Sequence, residues 1–256
     1  MSDEILRWAD WTSPVTPAER EVVSRLVEGD TEQPPLLFVP GPGQGAWAFA
    51  ERWLGHAANR GFPAHALTPR EGGDLRAHVH DVRQTAASLP RQAVLIGHGS
   101  GAAVVARALG RYPARAAVLV APALAKWGVI GTAFKTNPIG TIPAVFGGRL
   151  RLSRRQLFSS ALPAEEAEGY LTRIEPARPF ATVSPGRAVG EPPILVVGSP
   201  DDRVVSRKAL DATAAAYGGA PLLFPGMGHD MMLDAGWAEP IDAILDWLTK
   251  ELAPVS

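Results

Sequence analysis

Three stretches of this chain carry side chains able to move protons or attack carbonyl carbons. Residues 94–102, VLIGHGSGA, run from an apolar strand pattern through Gly97-His98-Gly99-Ser100-Gly101 into an apolar helical pattern. Residues 196–205, VVGSPDDRVV, place Asp201 and Asp202 just past the apolar run ILVV. Residues 226–237, GMGHDMMLDAGW, place His229 in a glycine-rich loop after PLLF. A carboxylate that accepts a hydrogen bond from an imidazole fixes its tautomer, and the oriented imidazole can then act as a base. Asp201 is the carboxylate expected to do this, with Asp202 as the alternative. Either acid also suits a turn in SPDDR, where aspartate is common. Ser100 opens the helical pattern. It suits a helix N-cap, with a displaced nucleophile as the alternative. His56, His65, His78 and His80 lack such a setting and read as solvated or structural. His78 and His80 are too close in sequence to share a helix face at i, i+4, so no metal pair is expected there.

The elements that must position these groups are legible as alternating patterns. LLFV (36–39), AHAL (64–67), AVLI (93–96), AAVLV (116–120), ILVV (194–197) and PLLF (221–224) read as strands. Most are continuous apolar runs, as expected for strands buried on both faces of a parallel sheet. Helical patterns fall at about 46–59, 75–89, 100–110, 207–217 and 239–252, and the last puts Ile241, Ile244, Leu245, Leu248 and Leu252 on one stripe. Alternation of this kind predicts an α/β fold with a doubly wound, mostly parallel sheet.

The alternation breaks between about 123 and 190, where six prolines and short helical fragments such as SRRQLFSSAL and PAEEAEGYLTRI occur. The expected organisation is a core of residues 1–122 and 190–256 with a helical lid, 123–189, inserted over the carboxyl edge of the sheet. Ligands bind at that edge in open α/β sheets. Trp127, Phe134, Phe146, Phe158, Tyr170 and Phe180 are expected either to line a pocket there or to form the lid's own core.

Composition narrows the function classes. The 256 residues carry a formal net charge of −1 and no cysteine, with a pI near 6.6. No global basic field favours nucleic acid or an anionic membrane. The cluster Arg149, Arg151, Arg154 and Arg155 reads as a solvated helix face. Disulfides, thiolate metal sites and a cysteine nucleophile are excluded. The acidic start MSDEILRWADW lacks the pattern of a secretory leader, and no apolar run approaches a membrane span. A cytoplasmic protein with a small-molecule substrate is expected, without nucleic acid or membrane partners, metal or cofactor. GPGQG lacks the spacing of a dinucleotide loop, and no P-loop lysine follows it.

Four patterns, LLFVPGPGQGAW, VLIGHGSGA, VVGSPDDRVV and GMGHDMMLDAGW, occur in the order oxyanion loop, nucleophile elbow, acid and histidine. In this the chain resembles the α/β-hydrolase superfamily over about residues 34–252, most closely its small, lidded, esterase-like actinobacterial members. The resemblance implies that His229 is the general base, and it aligns the family's nucleophile with Gly99 rather than Ser100. The family's His-Gly pair before the oxyanion donor is Pro40-Gly41 here, and the donor position is Pro42, which has no N–H. Losing one such donor typically costs about 2.7–4 kcal/mol of transition-state stabilisation. The Ser100 N–H and the Gln44 side chain are the replacement donors considered. The expected catalytic set is His229, Asp201 and Ser100. Gly41, Pro42, Gln44, His98, Gly99 and Met227 are the expected substrate-binding neighbours.

With the base kept and the nucleophile changed, the expected activity is non-hydrolytic and cofactor-free. It is a lyase of specialised metabolism whose His-Asp base drives elimination, by analogy with acetate loss from acetylated tetronates. The alternatives are an esterase or lactonase using Ser100 or histidine-activated water, and an inactive ligand-binding pseudo-hydrolase.

Overall fold

A computed structural model describes residues 14–16, 18–41 and 43–253. Its described strands form a seven-stranded sheet in the order β1-β3-β2-β4-β5-β6-β7. The strands are β1 (Val22–Arg25), β2 (Leu36–Val39), β3 (Ala64–Leu67), β4 (Val94–His98), β5 (Ala116–Val120), β6 (Ile194–Gly198) and β7 (Leu222–Leu223). All neighbours are parallel except β1, which runs antiparallel to β3. This is the α/β architecture expected from the apolar runs. Every residue of β2, β3, β4 and β5 is buried, which is why those strands carry no polar alternation. The edge strand β1, VVSR, is mostly exposed and short. It gives no apolar signal, and the sequence reading does not contain it.

The flanking helices are α1 (Trp47–Ala50), α2 (Trp53–Asn59), α3 (Leu75–Ser88), α4 (Ser100–Ala108), α5 (Lys126–Thr136), α6 (Pro138–Val145), α7 (Arg154–Leu157), α8 (Ala164–Leu171), α9 (Arg207–Ala216) and α10 (Ala238–Glu251). Side chains set several starts. Asp74 accepts from Ala77 N at α3, Asn137 from Gly140 N at α6, and Ser206 from Ala209 N at α9. The single helix expected at 46–59 is two, because Arg52 leaves helical geometry at φ −138°. The break accompanies burial of Phe49 and Trp53 against Phe38, with Trp53 Nε1 donating to Trp237 O at 3.0 Å.

Helices α5 to α8 lie between β5 and β6, with a bridge between Leu150 and Ala177. This segment is not packed as a separate unit. Leu157, Phe158, Leu162, Ala167 and Tyr170 share one buried cluster with Phe38, Trp53 and Met231 of the core. Of the aromatics expected at a pocket, Phe180 lines the cavity described below. Phe158 and Tyr170 are core, whereas Trp127, Phe134 and Phe146 are exposed. No described helix is long and apolar enough to cross a membrane.

Candidate active site

The site forms where β4 turns into α4. Gly97 and Gly101 permit the turn by their lack of side chains. A Cβ on Gly97 would come within 2.7 Å of Ala102 Cα, and one on Gly101 would collide with the carbonyls of Val39 and Pro40. Between them Gly99 holds φ 56°, ψ −122°, a strained conformation open chiefly to glycine. Its N–H donates to Val120 O at 3.0 Å, and its carbonyl accepts from Ala123 N at 2.9 Å. Apart from its chain neighbours, the outer face of Gly99 meets His229: a Cβ there would lie 3.1 Å from His229 Nε2.

His229 is buried, and its Nδ1 lies 2.8 Å from Asp202 Oδ2. The other carboxylate oxygen of Asp202 accepts from the N–H groups of Val204 and Val205 at 2.7 and 3.0 Å. The acid that orients His229 is therefore Asp202, which corrects the expectation of Asp201. Asp201 faces outward, and its carboxylate accepts from Gly226 N at 2.7 Å. The turn from Ser199 to Asp202, closed by Asp202 N donating to Ser199 O at 3.4 Å, folds position 202 back beneath the histidine loop. Burial acts to lower the basicity of His229. The charge and hydrogen bond of Asp202 outweigh it and hold the imidazole above its ordinary value.

Ser100 is the first helical residue, and the N-cap position is Gly99, with no side-chain cap. Ser100 therefore does not fill the capping role expected of it. Its Oγ lies 2.8 Å from where a Cβ on Gly41 would stand, so the bare Gly41 makes room for the hydroxyl, and both residues line the cavity. Pro42 lies outside the described residues. Met227 does not reach the cavity: it is buried among core residues and opens only onto an outer depression beside Asp201. That corrects its place among the substrate-binding neighbours.

His98 and Gln44 do line the cavity. His98 Nε2 lies 3.0 Å from the carbonyl oxygen of His229, so it carries the proton and donates. Burial, then the neighbouring His229, lowers its basicity to about 3, which keeps the ring neutral. Gln44 Nε2 donates to Asp230 Oδ2 at 2.7 Å. Asp230 is absent from the sequence-derived site. Its one signal was position: an acid directly after His229 in an otherwise apolar HDMML. Asp230 is 1% exposed and lines the cavity, and its Oδ1 has no hydrogen-bond partner. Burial pushes its carboxyl up to about 7, against the pull of His229 and of the Gln44 hydrogen bond. Asp234 plays a different part: it accepts from Ser159 N, Ser159 Oγ and Gly228 N, tying the histidine loop to the inserted segment.

The cavity over these groups measures about 310 Å³. Ala123, Val129, Leu150, Leu157 and Val204 supply apolar wall, while Lys126, Arg151, Arg178 and Glu175 bring charge. Arg151 therefore belongs to the cavity and not only to a solvated face. His98, His229 and Asp230 place donor atoms within 4.8 Å of one another. His98 Nε2 and His229 Nδ1 are engaged in hydrogen bonds, whereas His98 Nδ1 and Asp230 Oδ1 have no partner.

A family model described as "Alpha/beta hydrolase family" matches residues 36–246. No curated protein sequence matches the chain significantly. Among solved structures, a monoacylglycerol lipase from Paleococcus ferrophilus superposes with a TM-score of 0.71 at 17% identity, covering 91% of this chain and 100% of its own. A soluble variant of monoglyceride lipase from Saccharomyces cerevisiae gives 0.70 at 12%, covering 91% and 92%. A thermophilic esterase from Thermogutta terrifontis gives 0.66 at 15%, covering 91% and 94%. At these identities the likeness is one of fold.

Proposed function

This chain belongs to the alpha/beta hydrolase family, and from that premise we propose that it hydrolyses a small ester or lactone with water, rather than a serine, as the nucleophile. The observation that carries this reading is the space on Gly99. The place a Cβ on Gly99 would take lies 3.1 Å from His229 Nε2, so with glycine there no side chain of residue 99 stands against the base, and a water entering from the cavity that both residues border can hydrogen-bond to Nε2. The imidazole held by Asp202 takes a proton from that water, and the hydroxide adds to the substrate carbonyl. The step then proceeds without an acyl-enzyme. The esterase and lipase folds among the structural relatives support a carbonyl substrate.

A second reading is favoured by the same missing side chain. A base without a nucleophile beside it also suits removal of a carbon-bound proton with loss of a carboxylate, as in the elimination of acetate by a lyase. Turnover in ¹⁸O-labelled water separates the two. Hydrolysis puts labelled oxygen into the released carboxylate. Elimination releases the carboxylate unlabelled, and that result overturns the hydrolytic reading. In either case His229→Ala abolishes turnover.

A further inference from the structure

We propose that Asp230 is a second catalytic residue of this site, a neutral carboxylic acid that protonates the leaving oxygen while His229 activates water. The proposal rests on the hydrolytic reading above and extends it. The geometry is that of an acid kept in reserve. Asp230 immediately follows the base, its side chain is 1% exposed, and it borders the same cavity as His98, Gly99 and His229. Gln44 Nε2 donates to Oδ2 and fixes that oxygen as an acceptor. The other oxygen, Oδ1, has no partner. His98 Nε2, 3.5 Å from Oδ1, already serves the carbonyl of His229. An ionised carboxylate placed so would leave one oxygen desolvated and unpaired, a costly arrangement. A proton on Oδ1 removes that charge and gives the site a donor.

The surroundings agree from every side. From β4, His98 faces Asp230 as a neutral ring. The loop after β2 contributes Gln44, which is uncharged. The loop after β6 contributes Asp202, and the histidine loop contributes Asp234, and both acids oppose ionisation of a third. His229 favours ionisation, and burial outweighs it. The inserted segment brings Lys126, Arg151, Arg178 and Glu175 to the cavity wall, and none of them forms a hydrogen bond or ion pair with Asp230 among the described residues. Paired groups whose environments favour opposite protonation states are the usual basis of acid and base assignments.

The step balances. His229 Nε2 takes one proton from water, and the hydroxide oxygen bonds to the carbonyl carbon. The bond from that carbon to the leaving oxygen then breaks, its electron pair goes to the oxygen, and that oxygen takes the proton of Asp230 Oδ1. The imidazolium proton afterwards restores the carboxyl. The products are one carboxylic acid and one alcohol.

The test compares two esters that differ only in how much the leaving group needs a proton, p-nitrophenyl butyrate and ethyl butyrate, with wild type, Asp230→Asn and His229→Ala. Asparagine keeps the shape and can still accept from Gln44, but it supplies no acid. Asp230→Asn is expected to lose 10²–10⁴-fold on ethyl butyrate, the usual range for an acid catalyst, and less than about tenfold on p-nitrophenyl butyrate. An equal loss on both esters, or none, overturns the proposal, because a merely structural residue does not distinguish leaving groups. His229→Ala reports on the parent reading, since it must lose both esters. Wild type that turns over neither ester overturns both readings. An infrared difference spectrum, wild type minus Asp230→Asn near pH 6, checks the proton without any substrate. It is expected to show a protonated carboxyl band, and absence of that band also overturns the proposal.

Discussion

Asp202 Oδ2 stands 2.8 Å from His229 Nδ1, and its other oxygen is held by two backbone N–H groups. The carboxylate is thereby fixed in one orientation, and the imidazole can present only Nε2 to the cavity. Asp201, one residue earlier, serves only the turn at Gly226.

Substitutions at the two aspartates should therefore separate cleanly. Asp202→Asn is expected to lower kcat by about 10⁴, as loss of the tautomer-fixing acid does elsewhere. Asp201→Asn is expected to stay within about threefold of wild type, since a surface substitution away from such features changes little. Similar losses from both would break the assignment of Asp202.

Gly99→Ser tests what the bare turn implies. A serine there would put its Cβ 3.1 Å from His229 Nε2, tight but beside a base able to activate the hydroxyl. Intact mass spectrometry after a serine-directed fluorophosphonate is expected to show an adduct on the variant, mapped to position 99, and none on wild type. An adduct on Ser100 of wild type would instead make that serine the nucleophile.

The two proton-transfer groups predict the pH profile. The base works when neutral, so kcat/KM rises as pH climbs through the His229 value, which lies above 6.5. The acid works when protonated, so kcat/KM falls through about 7 as Asp230 ionises. A narrow bell near neutrality is expected, with apparent values belonging to the pair. Asp230→Asn is expected to keep the rising limb and lose the falling one. A wild-type plateau running on to alkaline pH would contradict it.

A fourth prediction concerns stability. Asp81 is 1% exposed and accepts from Arg70 Nε at 2.6 Å and Arg20 Nη1 at 3.1 Å. Burial raises its carboxyl, but the bonds and charges of Arg70 and Arg20 outweigh it, so the folded value lies below the ordinary 3.8. The stabilisation is complete above that ordinary value and is lost as pH falls through the folded one. Asp81→Asn is expected to cost about 3–5 kcal/mol at neutral pH by urea denaturation. The gap between variant and wild type should shrink below about pH 4.

The central sheet was readable because its strands are buried on both faces, and burial leaves an unbroken apolar record in LLFV, AVLI and AAVLV. β1 left none, since its residues face solvent. The turn around Gly99 and the loop around His229 were readable from glycine spacing, because close backbone approach admits little else. The choice between Asp201 and Asp202 was not, since it depends on how a turn of four residues closes. Asp230 was hidden for a related reason. An aspartate beside a histidine looks the same in sequence whether it points to water or into a cavity, and only the bond from Gln44, 186 residues away, shows which.

The loop that carries Gln44 is fastened to the cavity wall. Glu175 N donates to Gly43 O at 2.9 Å, and Gly43, at φ 94°, has no room for a side chain against the Glu175 carbonyl. Glu175 also borders the cavity, so one backbone hydrogen bond ties the inserted wall to the loop whose Gln44 holds Asp230. The bearing of that carboxyl is thus set from two sides of the chamber, by the inserted segment as well as by the sheet beneath it.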